Sequence, residues 1–521
     1  MKYLFFCFLS LLIVNTTIAQ EYKVYKAPTF REEWSKPGNY PDRIVINFGA
    51  DPATEASVTW RTDTTINEAY AEVGIADGAP KFWRNAKTLP AKTEVLDGLK
   101  IKDASVKAHY HSVSFKDLKP DTMYGYRVGD GESWSEWIQF TTASRDKDKP
   151  FSFLYVGDAQ NYVLELWARL IREGFRKAPE AKFFIHAGDL VNVAHRELDW
   201  HEWFTAGGFI HSMVPSMVTP GNHEYRSIPE LDGEDAARRL SVQWRPQFTL
   251  PENGPKGMGL EETVYYMDYQ DARIISLNSN VLQKEQIPWL EKVLAENTKK
   301  WTIVTYHHPL FSASAGRDNS QLREAWKPIF DKYKVDLALQ GHDHSYARGR
   351  VSPEDNVMDG TNARDKTGTV YVVSVSGGKM YGVSEKGWDG LGAERDRAGE
   401  NTQLFQVIRI DGDKLSYESY TAIGELYDAF DLVKQENGIN AFIERKSEGG
   451  PERRFNNTIP YEDPLPENLK TILLSKYPGR EITRVNAGKN DDGLLIFSVR
   501  LEKEKEERVT VYIDENGKIL E

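Results

Sequence analysis

From residue 151 onward the chain alternates short apolar runs with polar segments of helical spacing. Phe153-Leu154-Tyr155-Val156, Phe183-Phe184-Ile185, Ile303-Val304 and Leu337-Ala338-Leu339 are each followed within a few residues by Gly, Asp or His. Short apolar runs with such endings predict buried parallel strands whose C-terminal ends carry functional loops. Strands are expected at 151–156, 182–186, 273–277, 301–305, 335–339, 369–376 and 403–410, with Leu415 to Tyr420 antiparallel. Between them Leu164–Phe175, Gln286–Leu294 and Leu322–Tyr333 show amphipathic helical spacing, so this region reads as α/β. Upstream, from Pro41 to about Thr142, the period is two: Ile44–Phe48, Ala56–Trp60, Tyr124–Val128 and Trp137–Thr142 predict a sandwich of short strands. Downstream, Pro466–Tyr477 predicts a short helix followed by three alternating strands, a small α+β unit.

These patterns set the domain expectations. Residues 1–19 read as a secretory signal, with Lys2 as charged start, Tyr3–Val14 as apolar core and Thr17-Ile18-Ala19 as cleavage site. Residues 20–40 form a leader, 41–145 the sandwich, 146–435 the α/β domain, 436–465 a linker rich in Glu, Gly, Pro and Asn, and 466–521 the tail domain. Asp146–Pro150 is a charged linker, 226–262 and 377–402 read as long surface insertions, and Glu502–Arg508 as a solvated hairpin turn.

Composition narrows the chemistry. The chain carries one cysteine, Cys7, inside the expected signal, so a metal site must use oxygen and nitrogen donors. Net charge is −12 and there is no basic block, which disfavours bulk nucleic-acid binding. No run approaches the roughly 18 apolar residues of a membrane span. The expectation is an exported protein, periplasmic or secreted, with no transmembrane segment.

The polar clusters are Gly157-Asp158, Gly188-Asp189, Gly221-Asn222-His223-Glu224, His307-His308 and Gly341-His342-Asp343-His344. Carboxylates, imidazoles and an amide brought to one sheet edge form a donor set for hard or borderline cations.

In this order the clusters resemble the calcineurin-like metallophosphoesterases. Leu118-Lys119-Pro120-Asp121-Thr122-Met123-Tyr124-Gly125-Tyr126-Arg127-Val128 resembles the signature of fibronectin-III-like domains. Together they resemble the purple acid phosphatases over roughly residues 40–430. The tail resembles small PepSY-like domains; its partner is unknown. The implied architecture is multidomain: a fibronectin-III-like β-sandwich, an α/β metallophosphoesterase domain of layered sheets flanked by helices, and a small α+β C-terminal domain.

The resemblance implies two metal ions (Fe, Zn or Mn) and a small phosphate ester as substrate. It implies that Asp189 bridges the ions, Asp158 and His344 bind the first, and Asn222, His307 and His342 bind the second. It also implies that His223 protonates the leaving oxygen and that Glu224 orients His223. The sequence departs from the family twice. The usual Asp-x-His is Asp158-Ala159-Gln160, and the tyrosine that colours purple acid phosphatases is replaced by Asn192. Gln160 or Asn192 then offers an amide oxygen to the first ion, which puts ferric iron in doubt. Arg317 and His308 are candidate substrate contacts, Arg348 a weaker one, and Tyr225, Trp203 and Trp244 either line the cleft or pack. The expected activity is hydrolysis of phosphomonoesters by metal-activated water, as in acid phosphatases. The alternatives are phosphodiester hydrolysis at the same site, or a cell-envelope binding protein with a vestigial site.

Overall fold

The computed structural model describes residues 30–233, 236–314, 316–351, 366–384, 387–435, 439–450, 452–453, 459–460, 465–489, 494–503 and 507–520. The expected signal and residues 20–29 of the leader lie outside them, as do Glu504–Glu506 of the expected hairpin turn. Arg31–Pro460 forms one compact unit, and the tail is a separate one.

The period-two segment folds into two four-stranded antiparallel sheets. One holds Asp42–Phe48, Ala56–Thr62, Lys107–Phe115 and Lys92–Asp97. The other holds Lys87–Pro90, Tyr70–Ile75, Met123–Gly129 and Ile138–Thr141. Trp60 and Tyr126 are buried in its core, and the Tyr126 hydroxyl donates to the Ser212 carbonyl of the following domain. Two further cations fasten this seam. Arg43 and Arg61 both pair with the buried Glu197 of a helix that the sequence pattern did not predict, Glu197–Gly207.

The α/β region consists of two mixed sheets. The first runs in the order Ser216–Val218, Phe184–His186, Phe151–Val156, Leu404–Asp411, Lys414–Thr421, Leu426–Lys434, Asn440–Glu444, Lys366–Thr367, and its first three strands are parallel. The second runs in the order Tyr265–Tyr269, Ala272–Ser276, Trp301–Thr305, Leu337–Gln340, Val370–Val373, Tyr346–Val351, Ala393–Gly399, with a parallel centre. Side-chain alternation sorts the second sheet between two cores. Ile274, Ile303, Leu337, Leu339, Val370 and Val372 join Phe153, Tyr155 and Leu404 of the first sheet. Ile275, Val304, Ala338 and Tyr371 face instead the helices Ile287–Ala295 and Ser320–Tyr333, through Leu290, Leu294, Trp326 and Phe330. The two sheets therefore share one core, and the C-terminal ends of their parallel strands meet.

The expected strands and three expected helices are present. The sheets also reach further than the pattern predicted. Ala393–Gly399, inside the segment read as a surface insertion, is an edge strand with a mostly polar outer half. Asn440–Glu444, inside the segment read as a linker, pairs with Leu426–Lys434. In the tail, the helix Glu467–Lys476 sets Leu469 and Leu473 against Phe497, Val499 and Leu501 of the strand Leu495–Lys503, which pairs with Glu481–Lys489 on one side and Glu507–Asp514 on the other.

Candidate metal centre

All five polar clusters converge where the two sheets meet. Asp158 and Asp189 follow the strands Phe151–Val156 and Phe184–His186, and Asn222 follows Ser216–Val218. His307 follows Trp301–Thr305, and His342 and His344 follow Leu337–Gln340. Asp158, Asp189, His342 and His344 all adopt left-handed backbone (φ 47°, 52°, 76° and 48°). Each such residue costs on the order of 1 kcal/mol. Glycines let the strand-end loops come close enough to hold them: a Cβ on Gly221 would overlap Asp189, and one on Gly341 would overlap Asp158.

The donors fall into two groups. In the first, ligand atoms of Asp158, Asp189 and His344 lie within 4.8 Å of one another. Gln160 belongs here too, its Nε2 lying 2.7 Å from Asp189 Oδ2 and 3.2 Å from His344 Nε2. In the second, Asn222 Oδ1 lies 3.1 Å from His307 Nε2 and 2.9 Å from His342 Nδ1. His308 is within reach of the same group. Asp189 joins the two, because its Oδ2 is also 3.2 Å from His307 Nε2.

Surrounding carbonyls fix the tautomers. His307 Nδ1 donates to the Ala187 carbonyl (2.9 Å) and His344 Nδ1 to that of Lys379 (2.9 Å). Each therefore aims its Nε2 inward, the nitrogen a metal-binding imidazole would use. Burial also favours the neutral ring at His344, with Lys379 adding to it and bringing the pKa to about 3. Burial and the neighbouring His307 do the same at His308, also to about 3.

The residues fit a pair of cations. Asp158 Oδ1 and Gln160 Oε1 are buried without a hydrogen-bond partner, and both belong to the first group. Burial pushes the Asp158 carboxyl well above the usual range, and the adjacent Asp189 charge adds to the rise. Burial opposes a charged His307, yet Asp189 and Asp158 raise it to about 9. Two buried carboxylates are drawing positive charge into the seam.

Three expectations about individual residues are corrected or refined. Glu224 does not orient the His223 ring. Its buried carboxylate accepts the backbone N–H of Asp189 (2.9 Å), Leu190 (2.8 Å), Val191 (3.3 Å) and Gly221 (2.6 Å), which ties two ligand loops together. The His223 ring is set by Asn192 instead, through its backbone carbonyl 2.6 Å from Nδ1. Arg348 is no substrate contact: it is buried, with Asp428, Glu444 and Asp396 around it. Trp203 and Trp244 are fully buried packing residues, whereas Tyr225 lines a cleft beside the centre.

Arg317 lies beside the second donor group. Its Nη1 donates to the His342 carbonyl (2.9 Å) and pairs with the buried Asp343 (3.4 Å), and the guanidinium lies over Tyr381. Asp343 also accepts the backbone N–H groups of Ala313 and Ser314, which shapes the loop that carries Arg317. Sequence reasoning passed over Asp343, although it stands between two of the chosen histidines. It also passed over Arg238, whose Nη2 donates to the carbonyls of Asn222 and Tyr225.

Residues 41–142 match the model of the purple acid phosphatase N-terminal domain, and 151–346 that of the calcineurin-like phosphoesterases. The chain is a calcineurin-like metallophosphoesterase that resembles the purple acid phosphatases. Purple acid phosphatase 18 of Arabidopsis thaliana is 24% identical over 400 residues, covering 73% of this chain and 81% of that protein. Fe(3+)-Zn(2+) purple acid phosphatase 12 of the same plant is 29% identical over 299 residues, covering 53% and 60%. The structure of purple acid phosphatase PPD1 from yellow lupin (Lupinus luteus) superposes with a TM-score of 0.64 at 21% identity, covering 77% of this chain and 75% of that one. Purple acid phosphatases use a binuclear metal centre, which is the arrangement the two donor groups suit. Among the described residues no helix is long and apolar enough to cross a membrane.

Proposed function

We propose that this metallophosphoesterase hydrolyses phosphomonoesters and that it is exported. The carrying observation is Asp189, one carboxylate oxygen within 3.2 Å of His307 in one donor group and 2.7 Å of Gln160 in the other. Asp158, Gln160, Asp189 and His344 would hold the first ion, and Asp189, Asn222, His307 and His342 the second. Such ions, when bound, polarise the phosphoryl oxygens and lower the pKa of water.

The chain's own residues do the rest. Arg317 and His308 flank the position of the phosphoryl group and orient it. A water oxygen bonds to phosphorus opposite the ester oxygen as the ester P–O bond breaks, and the proton the water loses passes to solvent. His223, held at Nδ1 by Asn192, passes a proton from Nε2 to the departing alkoxide. Export rests on Lys2, the apolar Tyr3–Val14 and Thr17-Ile18-Ala19.

The first test compares p-nitrophenyl phosphate with bis-p-nitrophenyl phosphate after chelation and readdition of manganese, zinc or iron. Metal-restored monoester turnover is the expected result. Diester preference would move the reading to a phosphodiesterase, and no turnover with any metal on folded protein would end it.

Two predictions follow from named residues. His223→Ala should lower kcat for an alkyl phosphate by about 10²–10⁴-fold, the usual contribution of a positioned acid. It should lower turnover of p-nitrophenyl phosphate much less, because that leaving group needs no proton, and metal content should stay at the wild-type value. Equal losses on both esters would remove the proton-donor role.

The second concerns Gln160. An amide in place of imidazole, with no tyrosine available from Asn192, leaves a ligand set suited to a divalent first ion. The iron-loaded protein should show no visible charge-transfer band. Gln160→Ala should weaken binding of the first ion about ten- to a hundredfold, read by metal titration. A purple iron form, or an unchanged affinity, would contradict this.

A further inference from the structure

A cleft of about 450 Å³ opens from His308 and Asn222, away from the first donor group. Its wall is hydrophilic, dominated by Ser279, Asn280, Gln283, Asn319 and Gln321. Such a lining gives little to an aromatic or lipid alcohol, whose binding depends on the apolar area it can bury.

Arg238 is the cation of this cleft. Its Nε and Nη2 donate to the Tyr225 carbonyl at 3.0 and 2.6 Å, and Nη2 also reaches the Asn222 carbonyl. One edge of the guanidinium is thus fixed by backbone oxygens, and among the described residues no carboxylate pairs with it. Asp318, the acid in the wall, is already paired with Arg323 at 2.6 Å. A guanidinium that is positioned but not neutralised keeps its charge and its other edge for a ligand. Its position is specific, because Asn222 belongs to the second donor group and the cleft begins at that group's edge. A second anionic group placed a few bonds from the scissile phosphate would meet it there.

We infer that this cleft receives the alcohol part of the substrate and that Arg238 reads an anionic group on it, a carboxylate or a second phosphate. The substrate class is phosphate monoesters of small hydrophilic alcohols bearing that second charge. This rests on the phosphomonoesterase reading and deepens it.

The test uses matched pairs on the metal-loaded full chain: 3-phosphoglycerate against glycerol 1-phosphate, and fructose 1,6-bisphosphate against fructose 6-phosphate. The first pair isolates the carboxylate and the second the phosphate. In the wild type kcat/KM should favour the doubly anionic member of at least one pair about tenfold or more, the scale of a charge-assisted contact. Arg238→Gln should bring that ratio to within about twofold of unity and Arg238→Lys should keep part of it. The ratio cancels any general damage to the nearby Asn222 loop.

Calorimetry supplies a readout independent of turnover, with phosphonoacetate and ethylphosphonate as probes. The carboxylate-bearing probe should bind about tenfold tighter, and Arg238→Gln should remove the difference. A ratio unmoved by Arg238→Gln, or an equal affinity for the two phosphonates, overturns the inference. Absence of turnover on every ester would overturn the phosphomonoesterase reading instead, and the phosphonate comparison would still decide the role of Arg238.

Discussion

Asp189→Asn should abolish hydrolysis, by at least about a thousandfold in kcat/KM, because charge stabilisation by a two-ion centre is lost with the carboxylate that both ions would share in the proposed ligand set. The substitution is nearly isosteric. Asn can still accept the His223 backbone N–H that Asp189 Oδ1 now takes at 2.8 Å, and the left-handed backbone at this position suits Asn as well as Asp. The fold should therefore survive, as judged by circular dichroism and an unchanged elution volume. Metal content, measured by mass spectrometry after dialysis against low free metal, should fall from two ions per chain to one or fewer. Intact activity in this variant would remove Asp189 as the bridging residue and with it the two-ion reading.

Glu224→Ala should produce the largest loss of stability among the site variants. The carboxylate is fully buried and serves the backbone N–H groups of four buried residues. Leaving several such donors unsatisfied in a closed site costs about 3 kcal/mol or more. A fall in Tm of roughly 3 °C or more is expected on that scale for a compact unit of this size, measured in chelator so that metal binding does not enter. Activity should fall as well, since two of the released N–H groups belong to Asp189 and to the residue that follows it. Glu224→Gln should be intermediate, as its amide retains one acceptor oxygen but turns an NH₂ toward backbone donors. An unchanged Tm for Glu224→Ala would mean that those loops are held by something else.

The parts of this molecule that the sequence revealed are those where one chemical type repeats at a fixed spacing. Buried strands such as Trp301–Thr305 announce themselves because nearly every residue is apolar or β-branched. Most of the donors are legible because they stand just after such a strand, where a polar residue is otherwise unexpected. What escaped has weaker periodicity. Ser216–Val218 is only three residues long, and Ala393–Gly399 carries Glu394, Arg395, Asp396 and Arg397 at a sheet edge, where Asp396 pairs with Arg348 and Arg350 and Arg395 donates to the Ser384 carbonyl. Glu224 was visible as part of Gly-Asn-His-Glu, but three of its four partners are main-chain groups 33 to 35 residues earlier in the chain, which no side-chain pattern encodes. Arg238 lies in an irregular segment, and its role depends on where the chain returns, namely against the carbonyls of Asn222 and Tyr225.

The donors come from loops on two different sheets, Asp158, Asp189 and Asn222 from one and His307, His342 and His344 from the other. With the ligand set proposed above, each ion is a rivet through the seam between them as well as a reagent. A ligand that binds only the folded chain stabilises it by mass action, about 2.7 kcal/mol per site at a hundredfold excess over Kd. Supply of metal then governs how long the molecule persists as well as how fast it works, and a starved molecule is exposed first to proteolysis along that seam.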